Sequence, residues 1–416
     1  MVTDMLAHVL LALATITLAA RACGLAFQRW LHQPPVIGEI FAGLALGPSL
    51  LGMLSPTLQH WVLPDVAAPF LGMIAKVGVV LFMFLVGLEL DLRTLRRSSH
   101  QTLVISHASI VVPFLGGAAL ALVLYPVYAT ADVGFTVFSL FLGVAMSVTA
   151  FPVLARILSD RRVQRTRIGT MALACAAVDD ATAWTLLAFV AGVATAKTAG
   201  VAWVVLAVIG FVIVMFALVG PLLRRLADRE ESKHTPLSQG MLALVCVALL
   251  LCGAVTEFIG IHALFGSFLL GVVMRHEGRL ADQVRARMED LVVVLLLPVF
   301  FAYTGMRTQI GLLHEPRDWL AALAIIAVAT LGKFGGTFVA GRCVGLDARE
   351  SGAIGVLMNT RGLMELVVLN VGLEMGLLSP TVFAMFVLMA LVTTFATAPL
   401  LRLVMGNRGF ASDPSC

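Results

Sequence analysis

The sequence predicts an all-α polytopic membrane protein of about thirteen transmembrane helices, and three observations predict it. Sixty per cent of the 416 residues are hydrophobic and 12% are charged, where soluble domains carry about 25% charged residues; mean hydropathy is +1.00. Apolar runs near the roughly 20 residues that cross a bilayer core recur along the whole chain, with short connections between them. The cations also alternate between the connections: twenty-one of the 28 Lys and Arg residues fall on one side of a thirteen-span layout and three on the other. The positive-inside rule then puts the N-terminus outside and the C-terminus in the cytoplasm. The net charge of +4 is therefore topological, and nothing in it suggests nucleic acid.

The spans run approximately 5–26, 35–50, 70–91, 101–125, 134–157, 168–195, 200–223, 238–256, 260–274, 288–306, 319–341, 351–373 and 379–401. The first resembles a signal peptide between Met5 and Ala20, but Asp4 stands where a cation would and no small-x-small cleavage site follows, so it is read as a retained helix. In spans 2 and 3, Glu39 and Lys76 lie near the ends and are read as snorkelling. His107, His262 and His276 are read as satisfied interfacial groups rather than pH sensors. The six cysteines show no CxxC or Cys/His pairing and argue for neither disulfides nor zinc.

An internal repeat links the halves. IGEIFAGLALG at 37–47 resembles IHALFGSFLLG at 261–271, and FLVGLELDLRTL in span 3 pairs with FAYTGMRTQIGLL in span 10, so that Gly87-Leu88 falls on Gly305-Met306. The matched spans are seven apart, and an odd offset reverses direction through the membrane. Inverted repeats of this kind bind ions near the midplane, where helices are broken and free backbone groups face a cavity. Two spans, again seven apart, carry interruptions. In SVTAFPVLARIL, Pro152 lacks an N–H and pushes Phe151 out of the helical region, freeing carbonyls beside Ser147 and Thr149. In MNTRGLMELVVLN, Asn359, Thr360, Arg361, Gly362 and Glu365 interrupt the apolar run. Arg361 and Glu365, four apart on one helical face, read as a structural ion pair.

Span 6 contains AVDDATAW, with Asp179 and Asp180 far from either end of the span. One Asp at a helix centre costs about 2.5–3.5 kcal/mol on the insertion scale, so intramembrane acids read as functional by default. Adjacent helical residues point about 100° apart, which lets one acid face a cation while the other faces water. The cation is Lys333 in LGKFGG of span 11, where Gly332, Gly335 and Gly336 permit close helix approach. Two acids and one base leave one excess negative charge, which a monovalent cation or a proton neutralises. Carboxylates about 4 Å apart repel by about 4 kcal/mol at an effective dielectric near 20 and titrate as a pair, so proton and cation compete for the same oxygens. Competition at one site combined with alternating access amounts to antiport.

SVTAFPVLARIL, AVDDATAW, LGKFGG, NTRGLMELVVLNVG and PPVIGEIFAGLALGPSLLG resemble the monovalent cation:proton antiporter-2 family of sodium/hydrogen and potassium/hydrogen exchangers, over about residues 10–405. The resemblance implies the sodium/proton antiporter fold, with two crossed discontinuous helices, and a homodimer whose mobile core moves like an elevator against a dimerisation domain. It places a membrane domain at 1–405, with the core at approximately 70–195 and 288–405, the scaffold at 1–69 and 200–287, and a short cytoplasmic tail at 406–416. By resemblance Asp180 binds cation and proton, Asp179 pairs with Lys333, Thr149 is a broken-helix threonine near the ion, and Ser147, Pro152 and Asn359 belong to the same breaks.

By the same resemblance, Asp179 in place of Gln or Asn implies electrogenic exchange of about two protons per Na+ or K+, and a cell membrane such as a bacterial inner membrane is expected. A cation channel or an electroneutral potassium/proton efflux protein is the alternative. The chain stops about fifteen residues beyond span 13, without the nucleotide-binding domain of the potassium-efflux members. No Walker or GxGxxG segment follows a strand, so no ATP-driven pump, enzyme activity or cofactor is expected. An intramembrane aspartyl protease would place its two acids on different helices to share a proton.

Overall fold

The computed structural model describes residues 2–31, 33, 35–64, 66–89, 100–160, 166–195, 201–231, 237–274 and 279–405. The described residues form helices and no strand. Each predicted span coincides with a helix or a pair of helices. Among the described residues, ten helical segments are long and apolar enough to cross a membrane, and the bent pair Ala348–Met358 and Leu363–Glu374 makes an eleventh. Phe135–Ser147 and Ala263–Val273 are apolar but shorter. The chain is a multi-pass membrane protein.

By contact the chain divides into two compact units, Met1–Leu13, Asp65–Thr94 and Ala188–Phe300 in one, and Ala14–Pro64, Leu95–Leu187 and Phe301–Cys416 in the other. In the first unit, helix Ala68–Glu89 packs on Ala263–Val273 through two glycines. A Cβ on Gly87 would lie 2.2 Å from the Phe268 carbonyl, and one on Gly271 would lie 2.3 Å from the Phe84 carbonyl and 2.8 Å from Leu88 N. Only a residue without a side chain lets the two backbones meet in this way. Gly260, at φ 94°, closes the Gln239–Ile259 helix ahead of this contact.

The second unit holds the same contact in its other repeat. A Cβ on Gly305 would lie 2.4 Å from Gly43 C and Leu44 N, and one on Gly47 would lie 2.9 Å from Met306 Cα. Gly47 and Gly271 are the pair matched in the sequence, as are Gly87-Leu88 and Gly305-Met306. Each half's second span therefore packs on the other half's third.

The second unit also contains both broken helices. Phe135–Ser147 and Phe151–Asp160 are separated at residues 148–150, and Ala348–Met358 bends by 44° into Leu363–Glu374. The breaks touch where Ala150 N donates to Thr360 O at 3.0 Å. Pro152 does not make the first break. Phe151 is already helical, and Pro152 lies in the first turn of the following helix, where its missing N–H has no helical partner to lose.

Helices His100–Tyr128, Arg167–Thr195 and Pro316–Cys343 surround the crossing. The last starts at a capping box of Glu315 and Asp318. Gly332 and Gly336 face Pro113, Ala108 and Val112 of His100–Tyr128, whereas Gly335 has no atom within 4 Å of its Cβ position. Close approach thus uses two of the three glycines around Lys333.

Candidate functional site

Asp179, Asp180, Lys333, Arg361 and Glu365 are all buried, at 0–2% exposure, where the broken helices cross. Asp179 Oδ1 accepts from Ser106 Oγ at 2.7 Å. Its Oδ2 accepts from Ser109 Oγ at 2.6 Å, Thr149 Oγ1 at 2.7 Å and Lys333 Nζ at 3.3 Å. The ammonium of Lys333 also donates to Ser109 O at 3.1 Å and to Ser147 O. A lysine has three protons, and three acceptors meet them. Lys333 and Asp179 therefore form a buried ion pair in which every donor on the lysine is used. Asp180 follows one residue later, about 100° round the same helix.

Arg361, in the second break, meets the same helix end. Its Nη1 donates to Ala145 O at 3.1 Å, Val148 O at 2.9 Å and Glu365 Oε2 at 2.7 Å, and its Nη2 to Met146 O at 2.5 Å. A helix C-terminus leaves carbonyls without intrahelical donors and carries partial negative charge. Here Arg361 takes those of residues 145, 146 and 148, and Lys333 takes that of Ser147. The carbonyls expected to face a cavity are thus occupied by two fixed cations. Three acids and two bases at the crossing leave one negative charge in excess.

The Ser147 hydroxyl turns back to Gly143 O at 2.7 Å and Ile110 O at 3.1 Å, so its carbonyl rather than its hydroxyl meets the charged pair. Thr149 meets Asp179 directly. Asn359 ends Ala348–Met358 and is 4% exposed, with its Oδ1 buried and without a hydrogen-bond partner among the described residues. Pro152 lies in the first turn of Phe151–Asp160. Glu39 departs from the snorkelling expectation: it is 6% exposed and pairs with Arg21 at 3.8 Å. Lys76 is exposed, as snorkelling requires, and His276 lies outside the described residues.

Sequence reasoning missed Ser106 and Ser109. Their three-residue spacing in ISHASI puts both hydroxyls on one helical face, a weak signal in an apolar span. It also missed Thr394, whose hydroxyl donates to Arg361 O at 2.6 Å and accepts from Arg361 N at 3.1 Å, holding the second break open.

Residues 13–403 match the transmembrane sodium/hydrogen exchanger family. The chain belongs to that family. It is 43% identical to the Na(+)/H(+) antiporter NhaS4 of Synechocystis sp. over 400 residues, which cover 96% of this chain and 97% of that protein. Cation/H(+) antiporter 20 of Arabidopsis thaliana is 39% identical over 89% of this chain, and K(+)/H(+) antiporter 1 of Saccharomyces cerevisiae is 36% identical over 90%. The chain spans less than half the length of these two, 45% and 44%. The sodium proton antiporter MjNhaP1 of Methanocaldococcus jannaschii shares the exchanger fold, with a TM-score of 0.64 at 16% identity over 98% of each chain.

Proposed function

We propose that this exchanger moves a monovalent cation, Na+ or K+, against protons by alternating access, with Asp180 as the group that cation and proton occupy in turn. One observation carries the assignment of roles. Asp179 has four donors around its two oxygens, and Lys333 has an acceptor for each of its protons. A carboxylate so enclosed offers a cation little, and the adjacent Asp180 is left as the exchanging acid. The Asp179–Lys333 pair then sets the charge moved per cycle. About two protons per cation makes exchange electrogenic.

The core of approximately 70–195 and 288–405 carries the site and forms the moving part, in a homodimer within a cell membrane with the N-terminus outside. Proteoliposomes test this reading. A Na+ or K+ gradient drives saturable proton movement that a membrane potential accelerates or opposes; cation current of channel size at zero proton gradient would overturn it.

A further inference from the structure

Three hydroxyls meet Asp179, and each has a single proton to give. The Ser106 hydroxyl has one acceptor in reach, Asp179 Oδ1 at 2.7 Å. The Ser109 hydroxyl has two: Asp179 Oδ2 at 2.6 Å and the Ser106 carbonyl at 2.9 Å. Thr149 has Asp179 Oδ2 at 2.7 Å and, at the outer limit of a hydrogen bond, Met358 O at 3.4 Å. Ser109 is therefore the hydroxyl with two good acceptors, one on the carboxylate and one on the backbone.

We propose that Ser109 is a positioning residue for a proton taken up by Asp179, its hydroxyl turning between the carboxylate and the Ser106 carbonyl so that both charge states of Asp179 stay hydrogen-bonded. This rests on the electrogenic reading above and supplies the second proton's seat. With Asp179 charged, Ser109 donates to Oδ2. When a proton binds Oδ2, the new O–H donates to Ser109 Oγ, and the Ser109 hydrogen swings onto Ser106 O. The proton leaves a hydronium ion for Asp179 and returns to water on release, and no other covalent bond changes.

Lys333 keeps its bonds to Ser109 O and Ser147 O in either state. A buried carboxyl proton with nothing to accept it would be strongly disfavoured, and the second acceptor of Ser109 removes that obstacle. The charged and titratable groups around Asp179 are Lys333 from Pro316–Cys343, Asp180 and Cys175 on its own helix, and Arg361 and Glu365 from the second break, which act on Lys333. Helix His100–Tyr128 presents the two serines, while its His107 is exposed and bonded to Leu103 O.

The test combines two measurements on the full chain. Reversal potentials in proteoliposomes give the protons moved per cation, and infrared difference spectra on acidification give the protonated carboxyl band that Asp179→Asn deletes. Ser109→Ala is expected to lower the ratio from about two to about one and to shift or abolish that band, because its donor bond is gone. Ser109→Thr restores both. Ser106→Ala slows exchange and lowers thermal stability but keeps the ratio at about two.

Where Ser109→Ala fails to reconstitute, Ser109→Cys, a weak donor and acceptor, reads the same two quantities. A ratio of two and an unmoved band in the Ser109 variants would overturn the rotor. A wild-type ratio of one would instead overturn the electrogenic reading itself.

Discussion

In the proposed mechanism, exchange turns on Asp180 and Lys333. Asp180→Asn is expected to abolish it, since an amide neither releases a proton nor offsets a cation; wild-type flux in proteoliposomes would refute the assignment. Lys333→Gln leaves Asp179 buried with three hydroxyl donors but no cation, and replaces the charged donor to two carbonyls. Breaking a buried pair on one side costs about 3–5 kcal/mol, so a lower Tm or an altered charge per cycle is expected. If neither moved, the pairing would have no energetic weight. These charges were legible in the sequence because a carboxylate in an apolar run is costly and rare. Ser106 and Ser109 were not, because a hydroxyl in a helix can bond its own preceding turn, as Thr182 and Thr185 do with Val178 O and Ala181 O, and so carries no signature of a partner.

The elements are held by charges capping broken ends and by glycines. Arg361→Met uncaps three carbonyls of the Phe135–Ser147 end and strands Glu365. A loss of about 3–5 kcal/mol is expected, smaller when Glu365→Leu is added, and a thermal melt of both variants checks it. The glycine contacts give an internal comparison. Gly305→Ala and Gly271→Ala put a Cβ within 2.4 Å of backbone, and overpacking of this kind costs about 1–3 kcal/mol. Gly335→Ala meets nothing within 4 Å and gains up to about 1 kcal/mol of helix propensity. Equal melting temperatures for the three would contradict the packing described. Helix existence was legible from hydropathy, and so was the place of the first break beside Ser147 and Thr149, but its cause was not. Proline marks where a helix cannot continue backwards, which also suits the start of the next one, as at Pro152. The second break has no proline, and its bend follows from the Thr394 and Arg361 bonds that tertiary packing supplies.

At the scale of the whole molecule, the repeat read from two short glycine-rich matches is present as one backbone contact in each compact unit. Gly47 meets Met306, and Gly271 meets Leu88. Sequence distance hid the pairing, because each contact joins residues more than 180 positions apart. Their common geometry is what a seven-span offset between inverted halves requires. On the proposed reading, the excess of one negative charge at the crossing makes a further demand on the transport cycle: cation and proton exclude one another. The most direct measurement is the apparent KM for Na+ and for K+ in proteoliposomes as a function of pH. Competition of one proton for Asp180 raises KM on the acid side with a slope that approaches about tenfold per pH unit, by mass action, while the maximal rate at saturating cation stays level. A KM independent of pH, with only the maximal rate falling, would contradict a shared seat.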